Sequence, residues 1–145
     1  MRIYISGPIT GTIDYLLRFE AAEKLLKKRF PQAEIINPAE VCRSLPESFS
    51  HADYMDICLT LLKKCEKLCP QFHISLQSGS DNTLKRMNRH YTADEYRHLC
   101  RKLRESFKDC TLTTDVMVGF AGETEEDFTD SLNFVKEIAF EKVHV

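Results

Sequence analysis

Residues 111–127, TLTTDVMVGFAGETEED, join an expected strand to an expected helix through one short loop. Apolar residues alternate in the first part, which predicts a strand from Thr111 to Phe120. Gly119 and Gly122 mark the loop. Acidic residues follow Thr124 in the first helical turn, where the helix dipole stabilises negative charge. A strand, a loop and a helix in this order form the repeating unit of a parallel α/β fold.

The rest of the chain repeats this unit. Short β-forming runs predict further strands at 2–6, 33–37, 72–76 and 142–145. Apolar periodicity and capping residues predict further helices at 15–30, 53–68, 82–88 and 92–107. We therefore expect an α/β fold with a five-stranded, doubly wound parallel sheet of flavodoxin-like type, with helices on both faces. Residues 1–145 are expected to form one cooperative domain whose sheet is apolar on both faces.

Composition limits the function classes. A chain of 145 residues with 43% hydrophobic and 29% charged residues is typical of one globular domain and not of a disordered segment. The net charge of −2 provides no overall basic field for nucleic acid. No apolar run approaches the length of a membrane helix, and the first strand leaves no room for a signal peptide. We expect a cytoplasmic protein that does not contact a membrane, with its six cysteines reduced.

Four stretches of residues 1–66 follow a known pattern: IYISGPITG from Ile3, RF from Arg18, INPAE from Ile36 and YMDIC from Tyr54. They resemble a bacterial and phage family related to the nucleoside 2-deoxyribosyltransferases. The resemblance implies a nucleotide-sized pocket beside the loop after the first strand. The implied ligand-binding residues are Ser6, Gly7, Pro8, Thr10, Gly11 and Asn37. From the residues alone, a simple turn at Gly7 and Pro8 is the favoured interpretation.

Residues 67–145 follow a second pattern, with FHISLQSGSD at 72–81, LKRMNR at 84–89 and TDVMVGFAGETE at 114–125. They resemble the radical S-adenosylmethionine methylthiotransferases, which add a methylthio group to a modified adenosine of tRNA. Ala121 stands where that family carries proline. The resemblance implies S-adenosylmethionine and a [4Fe–4S] cluster as cofactors, and tRNA as partner. The implied cofactor-binding residues are Gln77, Ser78, Gly79, Gly119, Gly122 and Glu123, and Arg89, Asp115 and His144 match family positions without an assigned role.

Neither resemblance includes the reactive residues. The glutamate-bearing stretch of the first family is absent, and so is the C-x-x-x-C-x-x-C triplet that holds the cluster of the second. The nearest approach is Cys65 and Cys69, with Phe72 in the third position. We therefore expect no catalytic residue, no metal site and no bound cofactor in this chain. Cys58, Cys65 and Cys69 are interpreted as core contacts of one helix, and His73 as a packed histidine.

Charge is unevenly distributed between the two halves of the second stretch. The net charge is +5 over residues 67–104 and −7 over residues 105–145. The basic residues that could contact phosphates are Lys85, Arg86, Arg89, Arg97, Arg101 and Arg104. A nucleic-acid surface and a solvated helix face both explain this pattern, and the second interpretation is favoured because few aromatic residues lie between the basic ones.

Three hypotheses for function follow. The leading one is a non-catalytic fused or chimeric α/β domain that binds a nucleotide-type ligand weakly at the strand ends. The alternatives are a fragment of a tRNA methylthiotransferase and a nucleoside deoxyribosyltransferase-like enzyme. If the last strand lies at an open sheet edge, two copies would be able to pair there as a homodimer.

Overall fold

The computed structural model describes residues 1–7, 9, 12–46 and 48–145, which divide into two compact units. Unit 1 is Met1–Leu68 and unit 2 is Cys69–Val145. Unit 1 contains β1 (Arg2–Tyr4), α1 (Tyr15–Arg29), β2 (Glu34–Ile36), α2 (Pro38–Arg43) and α3 (His51–Leu62). Unit 2 contains β3 (Gln71–His73), α4 (Asp81–Arg86), α5 (Ala93–Ser106), β4 (Thr111–Asp115), α6 (Glu125–Ile138) and β5 (Lys142–His144). The boundary between the units lies beside the point where the resemblance changes.

Unit 1 is built around two parallel strands. β1 pairs with β2, with Ile3 opposite Ile35. The buried core joins Ile5, which follows β1, to Phe19 of α1 and Ala39 of α2. Half-buried apolar side chains of α1 extend this core. The apolar spacing of residues 15–30 predicts α1 correctly, because that spacing places one face of the helix on the strands.

Two helices in unit 1 differ from the sequence expectation. The helix α2 lies between the strand predicted at 33–37 and the helix predicted at 53–68 and was not predicted; Asn37 caps its N-terminus and Pro38 occupies its first turn. The helix α3 ends at Leu62, six residues before the predicted end. Beyond Leu62 the backbone tightens, since the N–H of Lys64 donates to Leu61 and that of Cys65 donates to Leu62. Such three-residue bonds are typical of a helix end.

Unit 2 is a three-stranded parallel sheet with β4 in the centre and β3 and β5 on either side. His73 lies opposite Thr113, and Asp115 lies opposite His144. One face of the sheet is covered by helices. Tyr96 of α5 donates its hydroxyl to the Ile74 carbonyl at 2.5 Å and its ring meets Phe134 of α6 edge to face. Leu112 and Thr114 are fully buried on this side.

The structure confirms an α/β architecture with parallel strands, but the prediction of one five-stranded sheet is wrong. The described strands form a sheet of two and a sheet of three, and the flavodoxin-like order is not confirmed. The strand pattern fixes which side chains face the core, but it does not encode which strand edges meet. The expectation of two apolar faces is also wrong for unit 2, because His73, Thr113 and Asp115 share a polar face.

Two further features concern predicted partners. β5 lies at an edge of the three-stranded sheet, so pairing of two copies through this strand stays a prediction. Within the described part of the chain, no helix combines the length and the apolar character that crossing a membrane requires.

Candidate functional site

Two loops meet at the carboxyl end of the sheet in unit 2. Gln77, which follows β3, adopts a positive φ of 68° and forms an isolated parallel bridge with Val116. Its N–H donates to the Asp115 carbonyl and its carbonyl accepts from the Met117 N–H, both at 2.8 Å. The bridge holds the loop after β3 beside the loop after β4. The structure therefore brings together the two loops that the sequence predicts as cofactor-binding.

Ser78 and Gly79 form hydrogen bonds to other residues of unit 2. Ser78 is fully buried and its hydroxyl accepts from the Ser80 N–H at 3.1 Å. The Gly79 N–H donates to the Ser131 hydroxyl at 2.9 Å, and a Cβ at Gly79 would lie 2.5 Å from the Cβ of Phe134. Glycine at this position is required because the loop packs directly on α6. Cofactor contact by these two residues stays a prediction.

The loop after β4 is more open. Gly119 and Gly122 both adopt positive φ, at 75° and 81°. A Cβ at Gly119 would meet no atom within 4 Å. The Glu123 carboxylate accepts from the Gly119 N–H at 2.5 Å and so closes the loop on itself. An exposed main chain next to a carboxylate can hydrogen-bond a ligand that has both donors and acceptors.

A buried carboxylate fixes this loop to the rest of unit 2. Asp127 is 2% exposed and accepts hydrogen bonds from the hydroxyls of Ser80 at 2.7 Å and Thr124 at 2.9 Å. The Arg86 guanidinium also donates to it at 3.0 Å. These hydrogen bonds, led by the one from Ser80, hold the pKa of Asp127 well below its ordinary value. Asp127 therefore joins the loop after β3, the helix α4 and the start of α6 as a charged anchor.

Below the two loops, the polar face of the sheet carries a histidine–carboxylate pair. The Nε2 of His73 lies 3.1 Å from a carboxylate oxygen of Asp115, and its Nδ1 lies 3.0 Å from the Thr113 hydroxyl. Ser75 donates to the same carboxylate at 3.1 Å. The hydrogen bond from His73 is the main cause that lowers the pKa of Asp115. The ring of His144 lies 6.4 Å from that of His73.

Sequence reasoning missed this pair. His73 is about half exposed and not packed in the core, which corrects its interpretation as a packed histidine. Asp115 and His144 had no assigned role, although they lie opposite each other in the sheet. The signal was present in the alternation of β4, whose buried residues Leu112 and Thr114 leave Thr113 and Asp115 for the other face. What the sequence did not contain was the register that places His73 beside them.

Half of the basic residues that could contact phosphates have partners within unit 2. Arg86 binds Asp127, and Arg97 binds both Glu137 and Asp94. Arg104 donates to the carbonyls of Ile138 and Ala139, which close the end of α6. These three side chains stabilise the unit. By contrast, Lys85 and Arg89 line a groove of about 310 Å³ together with His90, Tyr91, Thr92 and the two acidic residues Asp81 and Glu95.

The predicted ligand-binding residues of unit 1 lie in different surroundings in the structure. Gly7 lines a pocket of about 580 Å³, the unit 1 pocket, but Ser6 is simply exposed. Asn37 is buried: its amide donates to Glu23 at 2.8 Å and its oxygen accepts from the Glu40 N–H at 3.3 Å. Asn37 is therefore a helix cap. Pro8, Thr10 and Gly11 lie outside the described residues, and ligand binding at all six positions stays a prediction.

A match to a family model extends over most of the chain. Residues 9–135 match the model of the radical SAM superfamily, and the chain belongs to this superfamily. The match crosses the point where the resemblance changes. Nothing in the comparisons supports a deoxyribosyltransferase-like segment, and the chimeric interpretation of the chain is unsupported.

The similar curated proteins share one name. The chain is 49% identical over 80 residues to a tRNA-2-methylthio-N(6)-dimethylallyladenosine synthase of Clostridium botulinum (strain Eklund 17B / Type B), covering 55% of this chain and 18% of that protein. It is 46% identical over 89 residues to the Clostridium perfringens (strain SM101 / Type A) protein, covering 61% and 20%. It is 40% identical over 112 residues to the Caldicellulosiruptor saccharolyticus protein, covering 77% and 24%. The chain therefore spans about a fifth of the length of these relatives.

The two cofactors of the superfamily fit the chain differently. The loop at Gly119 leaves room for a ligand beside the Glu123 carboxylate, which accepts from the Gly119 N–H, and cofactor contact at this loop stays a prediction. The cluster does not fit, because the sequence lacks the cysteine triplet. In the described part of the chain, no three histidine, cysteine or carboxylate side chains are grouped so that they could hold a metal.

Proposed function

We propose that this chain is part of a tRNA methylthiotransferase of the radical SAM superfamily, the class that modifies an adenosine of tRNA. The observation that carries the proposal is the 40–49% identity to tRNA-2-methylthio-N(6)-dimethylallyladenosine synthases. A tRNA substrate and a cytoplasmic location follow from this proposal. The alternative first favoured by the sequence, a non-catalytic chimera, has no comparable support.

In this proposal, unit 2 forms part of the wall of a larger parallel barrel. The helix-covered face of its sheet would form the outside, and the face with His73 and Asp115 would line the interior. Parallel barrels of this kind place their active sites at the carboxyl ends of the strands. The loops that follow β3 and β4 are at that end, and the Gln77–Val116 bridge holds them together.

S-adenosylmethionine, together with an iron–sulfur cluster, supplies radical chemistry in this superfamily. The residues of this chain would hold its adenosine part. The main-chain groups near Gly119 would bind polar atoms of the base or the ribose, and the Glu123 carboxylate would accept from a ribose hydroxyl. Asp127 would not contact the cofactor. It would hold the loop in place through its hydrogen bonds with Thr124 and Arg86.

Binding of S-adenosylmethionine to the purified chain tests the cofactor role. Equilibrium dialysis with labelled S-adenosylmethionine should show saturable binding by the unmodified chain. Glu123→Gln should weaken it by roughly tenfold or more, since a hydrogen bond to a charged group is replaced by a neutral one. Glu126→Gln is the matched control, because Glu126 is an exposed carboxylate three residues further along. Absence of saturable binding, or equal affinities for the two variants, would contradict the proposed role of Glu123.

Anaerobic reconstitution with iron and sulfide tests the missing cluster ligands. The chain should develop no sulfide-to-iron absorbance in the visible range, because it lacks the required cysteine triplet. A stable cluster on the isolated chain would show that other residues bind it.

Filter binding with unfractionated tRNA tests the groove that contains Lys85 and Arg89. A double variant, Lys85→Ala with Arg89→Ala, should bind tRNA less tightly, and the slope of log affinity against log salt should fall by roughly one for each lost phosphate contact. The pair Lys108→Ala with Lys136→Ala removes the same charge elsewhere in unit 2. Equal losses in both double variants would mean that net charge, and not this groove, governs tRNA binding.

A further inference from the structure

The unit 1 pocket contains two thiols from different helices. Cys42 of α2 and Cys58 of α3 both line it, together with Gly7, Tyr54 and Met55. The helices α2 and α3 pack against each other. Both thiols are neither fully buried nor freely exposed. A reagent that enters the pocket would therefore meet the two sulfur atoms together.

The two thiols influence each other. Burial is the main cause that raises the pKa of Cys42, and the charge and side chain of Cys58 raise it further. Burial is also the main cause that raises the pKa of Tyr4, at the end of β1, and Cys58 contributes to this shift. Because burial holds Cys42 in its protonated form, this thiol is not activated for reaction with solvent reagents. The position of both thiols in one pocket is thus the property that distinguishes them.

The other cysteines lack this combination. Cys100 in unit 2 is 1% exposed, and burial raises its pKa to about 12. Cys110 influences it only through charge, with no hydrogen bond between the two. Cys69 is exposed and follows α3 by seven residues. In the part of the chain that the structure describes, Cys42 and Cys58 share the unit 1 pocket.

We propose that Cys42 and Cys58 form a proximal dithiol that closes into an intramolecular disulfide by exchange with a low-molecular-weight disulfide such as oxidised glutathione. In the first step one cysteine thiolate attacks a glutathione sulfur, which forms a mixed disulfide and releases one glutathione thiolate. In the second step the other cysteine attacks the protein sulfur of the mixed disulfide and releases the second glutathione. The two protein thiols together lose two electrons and two protons, and the oxidised glutathione becomes two reduced molecules.

The disulfide would link α2 to α3 and would close across one side of the pocket. A ligand of the unit 1 pocket would therefore bind differently to the reduced and oxidised chains. The proposal does not depend on the methylthiotransferase assignment, because none of its residues belongs to unit 2.

Thiol mapping by mass spectrometry tests the proposal. The folded chain is treated with oxidised glutathione, quenched with acid, alkylated, and analysed as intact protein and as peptides. We expect a mass loss of two hydrogen atoms and a cross-linked peptide pair containing Cys42 and Cys58. Cys42→Ser should stop at a stable glutathione adduct on Cys58, and Cys100→Ser should still form the disulfide. Adducts without an internal disulfide in the unmodified chain, or a disulfide between other cysteines, would overturn the proposal.

Discussion

Unit 1 and unit 2 both place parallel strands beside helices, but they stabilise their interiors differently. Unit 1 depends on a small apolar cluster around Ile5, Phe19 and Ala39. Unit 2 buries leucines from several elements and adds hydrogen-bonded polar groups, such as Thr114 and Asp127. Buried polar groups are stable only when they are satisfied, so they specify loop positions that an apolar core leaves free. This difference explains why unit 2 holds its two strand-end loops in a defined arrangement.

The largest expected effect is on the unit 2 core. Leu76→Ala removes a side chain that is 0% exposed, and we expect a loss of about 2–5 kcal/mol in the free energy of unfolding. Leu17→Ala in unit 1 is the control, since Leu17 is 68% exposed and its replacement should change stability by less than about 0.5 kcal/mol. Amide hydrogen exchange reports each unit separately.

The same measurement tests whether the chain is one cooperative domain. If it is, Leu76→Ala will lower the protection of unit 1 amides as much as that of unit 2 amides. A loss confined to unit 2 would contradict the single-domain prediction. Release of one stable unit by proteolysis at moderate denaturant concentration would contradict it as well.

The next largest effect compares a glycine in each unit. Gly79→Ala places a Cβ 2.9 Å from the Ser131 backbone, and we expect a loss of about 1–3 kcal/mol because the loop must move away from α6. Gly7→Ala in unit 1 meets only the edge of the Phe19 ring at 3.3 Å, and should cost less than about 1 kcal/mol. Urea unfolding of both variants measures the difference. Equal losses would mean that the loop of unit 2 is not tightly packed.

A smaller effect depends on pH. The folded-state pKa of Asp127 is lowered, so its carboxylate stabilises unit 2 above its unfolded pKa of about 4, and this contribution is lost as the pH falls through the folded pKa. Asp127→Asn should therefore lower the midpoint of thermal unfolding at pH 7, and the difference from the unmodified chain should shrink in acid. Asp130→Asn, an exposed change on the same helix, should show no such pH dependence. A difference that is constant from pH 7 to acid would rule out the charge as the cause.

The smallest effect compares helix caps. Thr92 caps α5 and Ser50 caps α3, each in a reciprocal capping box. Thr92→Ala and Ser50→Ala should each cost about 1 kcal/mol, because each leaves helix N–H groups without a partner. Thermal unfolding followed by circular dichroism measures both. A much larger cost for one cap would show that its helix depends on the cap more than on packing.

Local patterns predicted much of the fold. The capping box of Thr92 and Glu95 was visible in the sequence and is present in the structure. The apolar spacing of α1 and the glycine loop at 119–122 were also predicted, because both depend on neighbouring residues. The helix α2 was missed although Asn37 and Pro38 form an ordinary helix start. The radical SAM part of the resemblance was confirmed, since it rests on contiguous residues in unit 2.

The candidate site was less predictable. The structure brings the two predicted cofactor loops together, but Ser78 and Gly79 pack inside unit 2, Asn37 caps a helix, and cofactor binding stays a prediction. The pair of His73 and Asp115 was overlooked because the two residues are far apart in the sequence. Their contact exists only through the register between β3 and β4.

The amino-acid sequence by itself determined the strands, most of the helices, the loop glycines and the superfamily, since each depends on short-range periodicity or on a contiguous motif. Only the tertiary structure decided which strands pair, which polar side chains share a face and which cysteines line one pocket. These contacts join residues that are distant along the chain, and they form only when strand register and helix packing fix the backbone in three dimensions.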